Sequence, residues 1–463
     1  MDRIFTLPKS IFLCTLIAIS ILIFFEGTGK EADSISHYLY AKFAFKHPEL
    51  LLNHGAKPVF TFLAAPFAQM GLIGIKIFNS LCALGTAYFT IRIAKFEKLK
   101  LPGLAALFYF IFPLSFLTTF SGLTEPLFAL FLTAGIFLCY QQNYVLASLL
   151  LSFSPFIRSE GILFIGLFGI YFSAKKLYKE LLILFIGHIF LALIGWIYHG
   201  NPIWVIDEIP YAELDSPYGS GSFTHFFKQL NGAIGIPLYI LFWVGMLHVI
   251  IQTTINKRFK EPLFMLLVMG FLCFFLAHTF FWQFGLFNSM GLRRVFAAIT
   301  PLMALIALVG FHQFSKLLGE KYKLGLQIVL ILLIFAFPFS GNRAAVEWSK
   351  LNLSPAQQNA VQAVKLIRSK NLDGRRMIYT DPYLAVLFNH DPFDREKRLI
   401  LSPVGWEEWK SGDLVIWDNW HSVVDYGLEL KKLKQKPNLH FIGEVKLKQS
   451  RYALFIYEYE EDS

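Results

Sequence analysis

Residues 11–25 read IFLCTLIAISILIFF, and the eight that follow, 26–33, read EGTGKEAD. Arg3 and Lys9 precede the apolar run, and Glu26, two glycines, Lys30, Glu31 and Asp33 end it abruptly. Glu26-Gly27-Thr28-Gly29-Lys30 reads as an exit from a bilayer rather than a leader's cleavage site, so the run is expected to be a retained anchor with its basic flank inside. The residues after Glu26 then emerge on the outer side, which fixes the direction of every later span.

The composition agrees. Of 463 residues 55% are hydrophobic, 17% aromatic and only 16% charged, against about 25% charged in ordinary soluble domains. The charges are uneven: 39 lie in residues 1–340 and 35 in residues 341–463, which is 28% of that stretch. Two regions in two solvents follow, a membrane domain over 1–340 and a water-facing domain over 341–463. The net charge of +10 also belongs to the first, because the tail holds 18 Lys/Arg against 17 Asp/Glu. Basic turns between apolar runs point to membrane lipids and away from a nucleic-acid partner. Cys14, Cys82, Cys139 and Cys273 all sit in apolar runs, with neither a disulfide framework nor zinc-ligand spacing.

A bilayer core takes about 20 helical residues to cross. Runs near 71–91, 101–120, 123–140, 181–199, 232–251, 262–283, 295–312 and 325–339 meet or approach that length. The stretch 144–172 carries Pro155, Arg158 and Glu160 near its middle, so two short helices meeting toward the outer side suit it better than one. Eleven spans result. Segments 1–9, 92–100, 173–180, 252–261 and 312–325 hold 15 Lys/Arg and lie inside, so the tail lies outside. The expected fold is thus an α-helical polytopic membrane protein with about 11 transmembrane helices and a small α/β extracytoplasmic domain.

In the tail, Ser354-Pro355 opens a helix running to about Lys370. Residues 376–381 and 413–418 read as strands ending in aspartates, a helix is expected near 423–434, and strands near 439–446 and 452–459 close the domain. Asp381, Trp417, Asp418, Trp420 and His421 lie at strand ends, where such folds often place binding groups. Outside the membrane, the first outward loop, 26–58, includes an interfacial helix near 34–42, and 200–229 reads as a lid-like loop.

Glu31-Ala32-Asp33 is the main chemical constellation, able to direct two carboxylates at one cation or one hydroxyl; a solvated loop carries such a pair just as well. Cations within apolar sequence cost several kcal/mol on insertion, about 2.5 to 3.5 at a helix centre, which singles out Lys76, Arg158, Arg293 and Arg294. Plainer readings stand beside the functional ones: Arg158 pairing with Glu160, Arg293 reaching lipid headgroups, Glu125 as a first-turn carboxylate before Pro126, and His37 as an interfacial side chain. Packing is the default for His278 and Trp282.

These residues fall in an order that resembles the GT-C superfamily of integral-membrane glycosyltransferases. Glu31-Ala32-Asp33 is similar to the carboxylate motif of their first outward loop. Leu123-Thr124-Glu125-Pro126-Leu127-Phe128, Arg158-Ser159-Glu160-Gly161 and Arg293-Arg294 followed by Pro301 resemble segments of the mannosyltransferase members. Phe296 departs where relatives usually have Tyr, and Lys76 where they usually have Arg.

The resemblance implies an inverting glycosyltransferase that moves a monosaccharide, possibly mannose, from a polyprenyl-phosphate donor to an acceptor hydroxyl on a glycan, lipid or protein. Asp33 would be the general base, with Glu31 beside it. Arg294, Arg158, Arg293 and Lys76 would hold the donor phosphate, and Glu125, His37 and Glu160 would contact sugar or acceptor. A divalent cation, Mg or Mn, is compatible but not required, and no metal site is assigned. The expected location is a bacterial inner membrane, with the N-terminus cytoplasmic and the tail periplasmic. The rival class is a transporter or flippase, which predicts an internal repeat of broken helices; the sequence has one such break.

Overall fold

The computed structural model describes residues 5–29, 32–209, 216, 218–317, 319–448 and 450–461. Glu31 and, in the 200–229 loop, residues 210–215 and 217 thus lie outside the described residues, while the rest of that loop includes the short helix Trp204–Asp207 and the start of helix His225–Ile234. Among the described residues, seven helices are long and apolar enough to cross a bilayer: Leu7–Phe24, Leu72–Phe96, Tyr178–His199, Ile236–Asn256, Leu263–Phe284, Arg293–Phe314 and Lys321–Phe339. The chain is a multi-pass membrane protein. Arg293–Phe314 runs through the middle of the bundle and is almost wholly buried, whereas Lys321–Phe339 lies at its edge and is mostly exposed.

The other expected spans are short or broken. The run 101–120 divides into helices Gly103–Ile111 and Pro113–Thr119. Pro113 forces the break, since Phe112 before it takes an extended ψ of 130°. Helix Glu125–Tyr140 has 16 residues. The stretch around Pro155 is a hairpin of Tyr144–Leu151 and Gly161–Ala174 joined by a short turn. An unexpected apolar helix, Pro58–Ala68, follows the first loop; its 11 residues fall below the length of a span.

The tail forms one five-stranded sheet from β1 (Met377–Tyr379), β2 (Arg398–Leu399), β3 (Asp413–Asp418), β4 (Leu439–Val445) and β5 (Leu454–Tyr459). The order is β2-β1-β3-β5-β4, parallel among the first three and antiparallel across β3, β5 and β4. Helix Pro355–Ser369 starts where the sequence placed it, with a reciprocal cap between Ser354 and Gln357, and buries Ala360, Ala363, Val364 and Ile367.

The helix expected near 423–434 is replaced by a wide turn at 421–425 and a four-residue helix, Leu430–Leu433. Gly427, inside the expected stretch, takes a left-handed φ of 65° and breaks it, while the Asp418 carboxylate caps the preceding turn by accepting the N–H groups of Trp420 and His421.

Candidate active site

The amphipathic helix Ala32–Phe43 follows the first span and buries Ser34, Ile35, Tyr38, Leu39 and Ala41. Its start is pressed against the turn before Glu125, where a side chain on Gly122 would meet the Ser34 carbonyl oxygen at 2.2 Å. Asn79 braces that turn by donating to the carbonyls of Ser121 and Leu123, at 2.7 and 2.8 Å. Asp33 is thereby set at the mouth of the bundle, its side chain 53% exposed and paired with the Arg294 guanidinium.

Arg294 enters from the turn Arg293–Ile299, which leads into helix Thr300–Phe314. The protein around Asp33 disfavours its charge, but Arg294, with His37 and Arg158, outweighs that and holds the carboxyl below its ordinary range. Burial pushes the His37 imidazole down to about 3 despite the pull of Asp33, and Lys57, Arg294 and Arg158 add to the depression. At neutral pH an ionised carboxylate and a neutral imidazole therefore share this helix.

Beside them is an ion cluster built from the hairpin. Arg158 Nη1 is ion-paired with Glu125 at 2.8 Å and donates to Thr124 Oγ1 at 3.2 Å, while Nη2 donates to Glu160 at 2.7 Å. Glu125 is only 1% exposed, at the first turn of its helix. His278 Nε2 stands 3.9 Å from Glu160, wedged between Phe274 and Phe296.

Lys57, absent from the sequence reading, completes the cluster. It is buried, takes a left-handed φ of 62°, and donates to Ser159 Oγ at 3.1 Å. Burial first, opposed by Glu160, lowers its ammonium to about 8. Its signal in the sequence is faint, because a lysine before a proline at the end of a polar loop looks like a solvated flank. Three carboxylates (Asp33, Glu125, Glu160) thus face three cations (Lys57, Arg158, Arg294).

Two expected phosphate contacts have other partners. Lys76 Nζ donates to the Phe25 carbonyl at 2.7 Å, closing the end of the first span. Arg293 lies over Gly232 and feels Glu347. Both cations leave the Asp33–Arg158 group because their helices point them at neighbouring backbone. In the tail, Asp418 is taken up by Thr380, Ser422 and two backbone amides, Asp381 by Tyr452 and Tyr383, and Trp417 donates to Leu428 in the core. Among the described residues no three His, Cys, Asp or Glu side chains gather at metal-binding distance, and Asp33 already holds Arg294.

In sequence, no family model and no curated protein matches the chain. In structure, it is similar to ArnT from Cupriavidus metallidurans bound to undecaprenyl phosphate, with a TM-score of 0.61 at 10% identity over 96% of this chain and 97% of that one. The two share their fold over nearly the whole of both chains. The apo oligosaccharyltransferase of Archaeoglobus fulgidus shares it, with a TM-score of 0.56 at 10% identity over 99% of this chain and 75% of that one. The same enzyme tethered to an acceptor peptide containing the NVT sequon gives 0.51 at 11% identity, over 83% and 63%. Likeness at such identity is likeness of fold alone, and it covers the tail as well as the bundle.

Proposed function

We propose that this chain is an inverting glycosyltransferase of the outer face of a bacterial inner membrane. It moves a monosaccharide, with mannose the first to test, from a polyprenyl-phosphate donor to an acceptor hydroxyl. The observation that carries this reading is the meeting of Asp33 and Arg294, 261 residues apart, at one end of the bundle beside the Arg158 cluster. The undecaprenyl phosphate named with ArnT supports the donor class.

The chemistry follows from charge. A donor phosphodiester approaching Arg294 and Lys57 draws the guanidinium from Asp33, leaving a carboxylate facing the acceptor. Asp33 takes the hydroxyl proton as the oxygen attacks the anomeric carbon, and the polyprenyl phosphate departs with its added negative charge held by the two cations. One catalytic carboxylate gives single displacement and inversion. Arg158 holds Glu125 and Glu160 as the fixed wall behind the sugar. The N-terminus is cytoplasmic and the tail periplasmic in this scheme.

Asp33→Asn should leave donor binding intact and lower transfer by a factor of about 10² or more. Turnover of a labelled polyprenyl-phosphate sugar in reconstituted vesicles measures it, and a wild-type rate in the variant would remove Asp33 as the base.

A further inference from the structure

The helix that carries Asp33 is gripped at its other end by the tail, through a turn at residues 389–394. Asp391, with its side chain only 5% exposed, is the centre of that grip. Its Oδ2 accepts from Lys46 Nζ at 2.7 Å and His47 Nε2 at 2.9 Å, and its Oδ1 accepts from the Phe393 N–H at 3.0 Å. Phe393 stacks on Tyr40 with ring centroids 5.7 Å apart and meets the rings of Phe43 and His47 at 6.2 and 5.6 Å. Asn389 accepts from Lys42 at 2.8 Å. All these partners lie on the last turn of helix Ala32–Phe43 or within four residues of it.

We infer that the tail domain is a clamp on the Asp33 helix and that Asp391 is its positioning residue. The inference rests on the glycosyl-transfer reading for its kinetic consequence but not for its structural one. A twelve-residue helix transmits a displacement at one end to the other. A buried carboxylate bonded to two side chains and a backbone amide sets that end more sharply than apolar contact alone. Asp391 touches neither Arg294 nor the Arg158 cluster, so its loss changes where Asp33 stands and leaves the cations for the donor phosphate in place.

The test uses the full chain in vesicles with a labelled polyprenyl-phosphate sugar, as wild type, Asp391→Asn and Phe393→Leu. Asp391→Asn should lower kcat about tenfold, as a misplaced reacting group does, with donor KM unchanged. Hydrogen–deuterium exchange should rise across residues 32–43 and stay at wild-type levels across 125–140 and 413–418. Phe393→Leu should move both readouts the same way by less, and it carries the test if Asp391→Asn fails to fold. A wild-type kcat in Asp391→Asn, unchanged exchange over 32–43, or an equal rise over 413–418 would each overturn the positioning role. If the wild type transfers no sugar, the glycosyltransferase reading falls, and the exchange measurement alone decides whether the clamp exists.

Discussion

Arg158 shows how far single residues could be read before the fold was known. Its charge within apolar sequence marked it, as it marked Arg294, because buried ions are costly without partners; the same cost marked Lys76 and Arg293, which the structure places elsewhere. Both readings of Arg158 began from that cost; the structure gives it Glu160, and Glu125 as well. Lys57 escaped because its burial arises from helix packing that no local pattern records. Removing one member of a buried ion group leaves the others uncompensated, a loss of about 3–5 kcal/mol. Arg158→Ala should therefore lower the thermal unfolding midpoint of the detergent-purified protein sharply, by stranding Glu125 and Glu160. Arg158→Lys should recover part of the loss, because an ammonium keeps the charge without the fork that spans both carboxylates. Equal midpoints for Arg158→Ala and wild type would show that these ions contribute no stability.

Among elements, those with local signals were legible and those set by long-range contacts were not. The cap at Ser354, β3 at Asp413–Asp418 and the hairpin around Pro155 each have a cause within a few residues. The break at Pro113 was equally local but hidden by the apolar run around it. The turn after β3 was misread because Gly427, inside the helix expected at 423–434, takes a left-handed φ that a continuous helix cannot contain. That turn contains a titrating contact, His421 Nδ1 to Asp425 Oδ2 at 2.8 Å. Burial opposes the imidazolium, but Asp425, Asp381 and Asp418 outweigh it and raise the His421 pKa above its ordinary value. A group whose pKa is raised by folding stabilises the fold fully below its unfolded value, about 6.5, and that stability is lost as pH rises through the folded value. Exchange at residues 419–428 should thus increase across neutral to mildly alkaline pH beyond the intrinsic rise in rate, and Asp425→Asn should flatten that excess. A variant with the full excess would assign the pH response to another group.

At the level of the whole chain, the division between a charge-poor bundle and a charge-rich tail was plain in the sequence, but the way the two meet was not. Contacts such as Lys46 with Asp391, 345 residues apart, leave no period or spacing to find. Besides that clamp, the tail meets the bundle where the first span ends. There the Gly27 N–H donates to the Leu351 carbonyl at 2.7 Å, and a side chain on Gly27 would come within 2.3 Å of the Asn352 carbonyl oxygen. These are backbone atoms of a turn leading into helix Pro355–Ser369, so they cannot swing aside as a flexible side chain would. Gly27→Val should therefore part the seam while leaving both the sheet and the spans folded. Limited proteolysis reads this directly: cleavage within residues 340–353 should quicken in the variant, while the fragments stay resistant at 413–418 and 72–96. Slow, wild-type cleavage would mean that the close approach of Gly27 to residues 351–352 is not what holds the tail to the end of the first span.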